Sequence, residues 1–163
     1  MVLSLLTPPN RLACQLAIAT GLRIGDVLSI KTADLKQRMT IREAKTGKSR
    51  RVYIPARLLA QIKDQAGETW AWPGRNPAKH RTRQAVWRDV KRAAKAMRAP
   101  QNIAPHTMRK VYAVRQYRRT GDLSAVQRAL LHSDQAVTML YALADIIAAQ
   151  QAKEGQRRPS RPR

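Results

Sequence analysis

Acidic residues are scarce in this sequence. Ten Asp and Glu stand against 32 Lys and Arg in 163 residues, a formal net charge of +22. The ten acids are scattered singly, which argues against the clustered carboxylates that metal-dependent nucleases use to hold their ions. Cysteine is nearly absent. Cys14 alone allows no internal disulfide and no zinc-ligand spacing. Set among Leu12, Ala13, Leu16 and Ala17, it reads as core packing and fits a reducing cytosol. No apolar run approaches the roughly 18–20 residues needed to span a membrane. The apolar start, Met1 to Leu6, is short, lacks a basic residue and meets Pro8-Pro9, so it is not an export signal. A compact domain this basic repels itself unless a polyanion compensates it. Nucleic acid is the first candidate and an acidic membrane surface the second.

The length suits one domain with a real core. Pro8-Pro9-Asn10 breaks the chain ahead of an apolar helix over residues 11–20, which Gly21 ends. A second helix begins near Leu22 and carries Arg23 and Asp26, spaced so that the acid can hold the guanidinium. Met39, Ile41 and Glu43 alternate with Thr40, Arg42 and Ala44. After a turn at Lys45-Thr46-Gly47-Lys48, Arg51-Val52-Tyr53-Ile54 alternates again. This predicts a β-hairpin with exposed turn lysines, and residues 29–31 add a third short strand. A helix over 56–66 is followed by a loop over 67–80, in which Trp70 and Trp72 serve as anchors to the core or as platforms for bases. His80 is expected to be exposed.

Thr82 caps a helix to Met97 with Val86, Val90, Ala93 and Met97 on one stripe. Its other face carries Arg83, Arg88, Lys91, Arg92 and Lys95, with only Asp89 of opposite sign, and suits a DNA backbone. Pro100 breaks that helix, and Pro105 opens another over 106–119, ending at Thr120-Gly121-Asp122. A short helix over 123–131 and a longer one over 134–150 follow. Residues 153–163 form a basic tail without structure of its own. The expected class is α+β, mainly helical, with a small antiparallel sheet of about three strands.

Residues 105–141 carry the chemistry. His106 and Arg109, three apart, share a helix face, while His132 and Tyr141 suit two ends of a helix–turn–helix that folds back on them. Cutting a phosphodiester needs a nucleophile, charge stabilisation and a proton for the leaving oxygen. Arginine grips two phosphate oxygens and stays charged. Tyrosine can attack covalently but, with a reference pKa of about 10, needs cations or a base beside it. Metal-free chemistry is therefore the better fit, with no cofactor.

These residues resemble the catalytic domain of the tyrosine recombinases, the phage integrase family. Thr20-Gly-Leu-Arg23-Ile-Gly-Asp-Val-Leu28 is similar to the segment bearing its first catalytic arginine. Ala44-Lys45-Thr-Gly-Lys48 with Arg51-Val-Tyr-Ile-Pro55 is similar to its lysine hairpin. Pro105-His106-Thr-Met-Arg109 matches its His-x-x-Arg box, and Leu130-Leu-His132-Ser-Asp with Tyr141 matches its second histidine and nucleophile. The match covers residues 6–148. Two departures stand out: Leu131 replaces the usual glycine, and Lys110-Val-Tyr-Ala-Val follows the box.

The resemblance implies that Tyr141 attacks the scissile phosphate to give a 3′-phosphotyrosyl link. Arg23 and Arg109 would hold the non-bridging oxygens, with a hydrogen bond from His132. Lys45, with Lys48 as its rival on the same turn, would protonate the leaving 5′ oxygen, and His106 would assist proton transfer at the tyrosine. It also implies double-stranded DNA as partner, a tetramer on two DNA sites, accessory DNA-bending proteins, and a cytoplasmic, nucleoid-associated setting. Residues 1–152 would be the catalytic domain, without the family's amino-terminal core-binding domain. The competing expectation is a decayed integrase-like protein that binds DNA without cutting it. A basic RNA-binding protein would explain the charge but not the motif order. Tyr112 and Tyr117 read as packing or DNA contacts, and Tyr53 as a surface residue.

Overall fold

The computed structural model describes residues 2–99 and 102–130. His132, Tyr141, the helix expected over 134–150 and the basic tail lie outside them. The chain divides into two compact units, Met1–Tyr112 and Ala113–Arg163.

The first unit opens with a helical turn, Val2–Leu5, and then α1, Pro8–Thr20. Pro8 and Pro9 occupy the first helical positions, where a missing N–H costs nothing. Leu12, Ala13, Cys14, Leu16 and Ala17 are all buried. Burial, and then the charge of Asp89, push the Cys14 thiol up to about 12, so it packs as an inert apolar group. Helix α1 stops at Gly21, whose φ of 70° is left-handed and whose N–H donates to the Ala17 carbonyl at 2.8 Å. A short α2, Ile24–Leu28, follows with Arg23 at its cap in an extended conformation.

Among the described residues the sheet has two strands rather than three. β1, Arg38–Arg42, pairs antiparallel with β2, Ser49–Tyr53, in a register that sets Met39 opposite Val52 and Ile41 opposite Arg50. The segment expected as a third strand forms only an isolated bridge between Lys31 and Trp70. The N–H groups of Ser29 and Ile30 turn back to the Gly25 and Val27 carbonyls. The long loop adds only the bonds beside that bridge, Thr32 N–H to the Thr69 carbonyl and Ala71 N–H to that of Ile30, each at 3.0 Å. Helix α3, Ala56–Gln65, buries Ile62.

The loop after α3 is anchored by its tryptophans. Trp72 is fully enclosed and its Nε1 donates to the Pro9 carbonyl at 3.0 Å. Trp70 meets His80 edge to face at 5.2 Å, so His80 is half-buried rather than exposed. Tyr53 is a surface residue, and its hydroxyl accepts from Gln37 Nε2 at 3.0 Å.

Helix α4, Arg83–Ala96, is capped by the Thr82 hydroxyl, which accepts from Ala85 N–H at 3.1 Å. Val86, Val90 and Ala93 are buried as their spacing predicts, but Met97 is exposed because the helix ends before it. Asp89, expected on the basic face, belongs instead to the buried stripe. Its carboxylate accepts from Thr7 N–H and Oγ1, both at 2.9 Å, and from Asn10 Nδ2 at 2.8 Å. Arg92 adds an ion pair at 2.6 Å.

Burial alone would raise the pKa of Asp89. The hydrogen bonds from Asn10, Arg92 and Thr7 outweigh it and hold the acid at about 2, below its usual 3.8. Because the folded value lies below the unfolded one, this stabilisation is complete above pH 3.8 and is lost as the pH falls toward 2. At 1.36 kcal/mol per unit the shift corresponds to about 2 kcal/mol. Asp89→Asn should therefore lower the unfolding free energy at pH 7 by about 2–3 kcal/mol. Urea denaturation should show the gap to wild type closing in acid; equal stability at pH 7 would refute the assignment.

Helix α5, Pro105–Thr120, starts at the expected proline and buries Met108, Arg109 and Tyr112. In the second unit, α6, Leu123–Ala129, is capped by Asp122, which accepts from Ser124 N–H at 2.7 Å. Val126 and Leu130 are buried there. Among the described residues, no helix is long and apolar enough to cross a membrane.

Candidate active site

The turn between α1 and α2 is where the site begins. Gly21 reverses the backbone so that successive carbonyls each accept from an arginine. Arg50 Nη2 donates to the Thr20 carbonyl, and Arg109 Nη1 to that of Gly21 at 2.7 Å. Arg23 follows two residues later. Three guanidinium groups from α5, β2 and the α2 cap thus converge, although they are far apart in sequence.

One acid holds them. Glu43, at the end of β1, is fully enclosed, and its Oε2 accepts from Arg23 Nη1. Its Oε1 lies 3.5 Å from Arg109 Nη1 and 4.0 Å from Arg50 Nε. Asp26, expected to hold Arg23, is instead turned to the hairpin, where its Oδ1 accepts from Ala44 N–H at 3.0 Å. Its charge still bears on Arg23 and Arg109, but burial comes first and pushes its pKa up.

The two arginines expected from the motifs differ in access. The Arg23 side chain is 21% exposed and that of Arg109 only 3%. Arg23 therefore opens to solvent while Arg109 backs it from within. Burial, and then repulsion from Arg23, lower the Arg109 pKa, and Glu43 offsets part of that. His106 stands exposed one helical turn before Arg109. Loss of hydration around its ring, then the charges of Lys110, Arg109 and Arg23, push its pKa below 6.5. That shift favours the neutral imidazole, which can accept a proton.

Lys45 and Lys48 are exposed on the hairpin turn, as expected. On α4, the stem of Arg83 lies over Gly25, which brings the basic face beside the Arg23 cap. Arg88 and Lys95 are exposed. Lys91 is half-buried, bonded to Asn102 and 5.7 Å from the Trp87 ring centroid. Arg92 is committed inward, to Asp89 and to the Leu5 carbonyl at 2.6 Å. Tyr112 packs inside, against Gly21. Among the described residues, no three His, Cys, Asp or Glu side chains gather as a metal site would require.

Glu43 and Arg50 were not singled out from the sequence, yet the signal was present. Glu43 continues the inward Met39–Ile41 alternation, and an acid at such a position must find cations. Arg50 faces Ile41 across the strands and shares the inward side of Val52.

Gly21 cannot be replaced without cost. A Cβ there would sit 2.4 Å from Tyr112 Cδ1, on a backbone that side chains rarely adopt. Gly21→Ala should lose about 3 kcal/mol of stability or more. Adding Tyr112→Ala should return part of it in urea unfolding, a non-additive pair. A fully stable Gly21→Ala would show that the two do not touch.

The model of the phage integrase family matches residues 5–146. A probable integrase/recombinase, YoeC of Bacillus subtilis (strain 168), is 32% identical over 130 residues, 76% of this chain and 71% of that protein. Tyrosine recombinase XerD of Rhizobium meliloti (strain 1021) is 30% identical over 138 residues, covering 78% of this chain but only 44% of its own length. Among solved structures, XerH site-specific recombinase bound to palindromic difH substrate superposes with a TM-score of 0.68 at 21% identity. That likeness spans 88% of this chain and 44% of XerH and concerns the fold.

Proposed function

This chain belongs to the phage integrase family, and from that premise we propose that it cuts and rejoins double-stranded DNA at specific sites without metal. The observation that carries the proposal is the convergence of Arg23 and Arg109 on one buried carboxylate, with neutral His106 a turn away. Two guanidinium groups fixed at one point can grip the same phosphate and stabilise the charge that grows in its transition state.

The division of labour follows the motif order. Tyr141 attacks phosphorus through its phenolic oxygen, displaces the 5′ oxygen of the next nucleotide and becomes linked to a 3′ phosphate. Arg23 and Arg109 hold the non-bridging oxygens, and His132 donates to the same group. Lys45, with Lys48 as the rival on its turn, protonates the leaving 5′ oxygen. His106 accepts the tyrosine proton. Attack of another 5′ hydroxyl on the phosphotyrosine reverses these steps and joins a new strand.

DNA is the partner. A net charge of +22 and the basic face of α4, with Arg83, Arg88 and Lys95 outward, would lie against its phosphates. Lys91 and Arg92 contribute charge beside them while bonded within the fold. The working assembly is a tetramer on two DNA sites, aided by accessory DNA-bending proteins, in the cytoplasm on the nucleoid. Residues 1–152 form the catalytic domain and 153–163 a basic tail.

Incubation with nicked, sheared DNA of the source organism in excess chelator tests the reaction class. Detergent-resistant protein–DNA adducts are expected. Tight DNA binding without any adduct would favour the non-catalytic alternative.

A further inference from the structure

Glu43 has a job that the family motifs do not name. Of the buried acids described here, Asp26 fastens a hairpin amide and Asp89 fastens the amino terminus to α4. Glu43 instead spends its carboxylate on cations, with Thr46 Oγ1 as a distant donor at 3.4 Å. Its backbone also closes the hairpin turn. Glu43 N–H donates to the Lys48 carbonyl and Gly47 N–H to the Glu43 carbonyl, both at 2.9 Å. One residue therefore ties the turn bearing Lys45 to the arginines of α5 and the α2 cap.

Two effects of this carboxylate oppose each other. Three guanidinium groups in one buried place repel, and burial with that repulsion lowers the pKa of Arg50 and of Arg109. A fixed counter-charge stops them from splaying apart. The same negative charge also repels any phosphate that approaches Arg23. Geometry is gained and ground-state affinity is lost. A phosphoryl-transfer site benefits from that exchange, because tight binding of the unreacted phosphate does not speed the chemical step.

We propose that Glu43 is a positioning residue, with Arg50 as its inner counter-ion. It fixes Arg23 and Arg109 on one phosphate and registers the Lys45 turn against them, at some loss of anion affinity. The idea rests on the strand-cleavage function proposed above, and it makes a prediction that a merely structural acid would not. Removing the charge while keeping the shape should raise phosphate affinity and slow cleavage together.

The test uses the full chain with ¹⁵N-labelled arginine, as wild type, Glu43→Gln and Glu43→Asp. In wild type without added anion, rotation of the Arg23 and Arg109 guanidinium groups should be hindered in side-chain NMR spectra. In Glu43→Gln the Arg23 group should become free, while Arg109 stays held by the Gly21 carbonyl. Inorganic phosphate, titrated against those signals, should bind several-fold more tightly to Glu43→Gln than to wild type. Adduct formation on nicked DNA should meanwhile slow by about tenfold or more. Glu43→Asp keeps the charge with a shorter reach and should restore the weak phosphate affinity but not the rate.

A Glu43→Gln enzyme that both binds phosphate more tightly and cleaves faster would overturn the proposal, making Glu43 a competitor for the arginines. Unchanged affinity and rate would overturn it as well. Should Glu43→Gln fail to fold, wild type decides: hindered rotation of Arg23 supports the proposal and free rotation of Arg23 sinks it. If wild type forms no adduct, the strand-cleavage function fails, while the rotation and phosphate measurements still report on Glu43.

Discussion

Tyr141→Phe should form no covalent adduct with nicked DNA while binding it as tightly as wild type. The substitution removes one oxygen and no charge from a chain with a net charge of +22. Phosphate contacts dominate affinity for DNA, so binding and its fall with added salt should be unchanged. Covalent capture cannot occur without the nucleophile and should drop below detection. Tyr112 cannot substitute, since it is buried against Gly21. Tyr117, half-buried on α5, is the other tyrosine to examine if adducts persist in Tyr141→Phe.

The two arginines should fail in different ways. Arg23→Ala removes a partly exposed donor whose loss leaves Arg109 and Arg50 beside Glu43. Cleavage should fall by roughly 10²–10³-fold, the usual cost of one transition-state donor, with stability little altered. Arg109→Ala should lose at least as much activity and also about 3 kcal/mol of stability. It empties a buried position and removes the donor to the Gly21 carbonyl. Single-turnover cleavage alongside urea unfolding separates the pair. Equal stability losses for both variants would mean that their different exposure carries no energetic weight.

Local signals were strong enough to place most of the framework from sequence. Pro105 marked the start of α5, Gly21 the end of α1 and strict alternation the hairpin. Pro8 and Pro9, expected to break the chain ahead of α1, instead form its first turn, because a proline there loses no helical bond. The sheet has one strand fewer than expected because Ser29-Ile30-Lys31 alternates polar and apolar as a strand does, and alternation does not reveal where the amides go. Met97 and Asp89 were misassigned for a related reason. Helical spacing gives a stripe, but where a helix stops and which acid the stripe buries are settled by tertiary partners such as Thr7 and Asn10.

The site shows the same division. Arg23, His106 and Arg109 were legible as motif residues, and the fold brings Arg23 and Arg109 together. Their common anchor was not legible. Nearest-neighbour logic paired Arg23 with Asp26, three residues away, whereas the fold supplies Glu43, twenty residues away. His132 and Tyr141 lie outside the described residues, so their place in the site rests on the motif.

Mapping the attachment point tests the central claim most directly. The adduct formed on nicked DNA in chelator would be digested with nuclease and protease and its nucleotide-bearing peptide sequenced by mass spectrometry. The expected product is a 3′ phosphate esterified to Tyr141, with a free 5′ hydroxyl on the released strand. A nucleotide on another residue, or a 5′ phosphate in the link, would contradict the account.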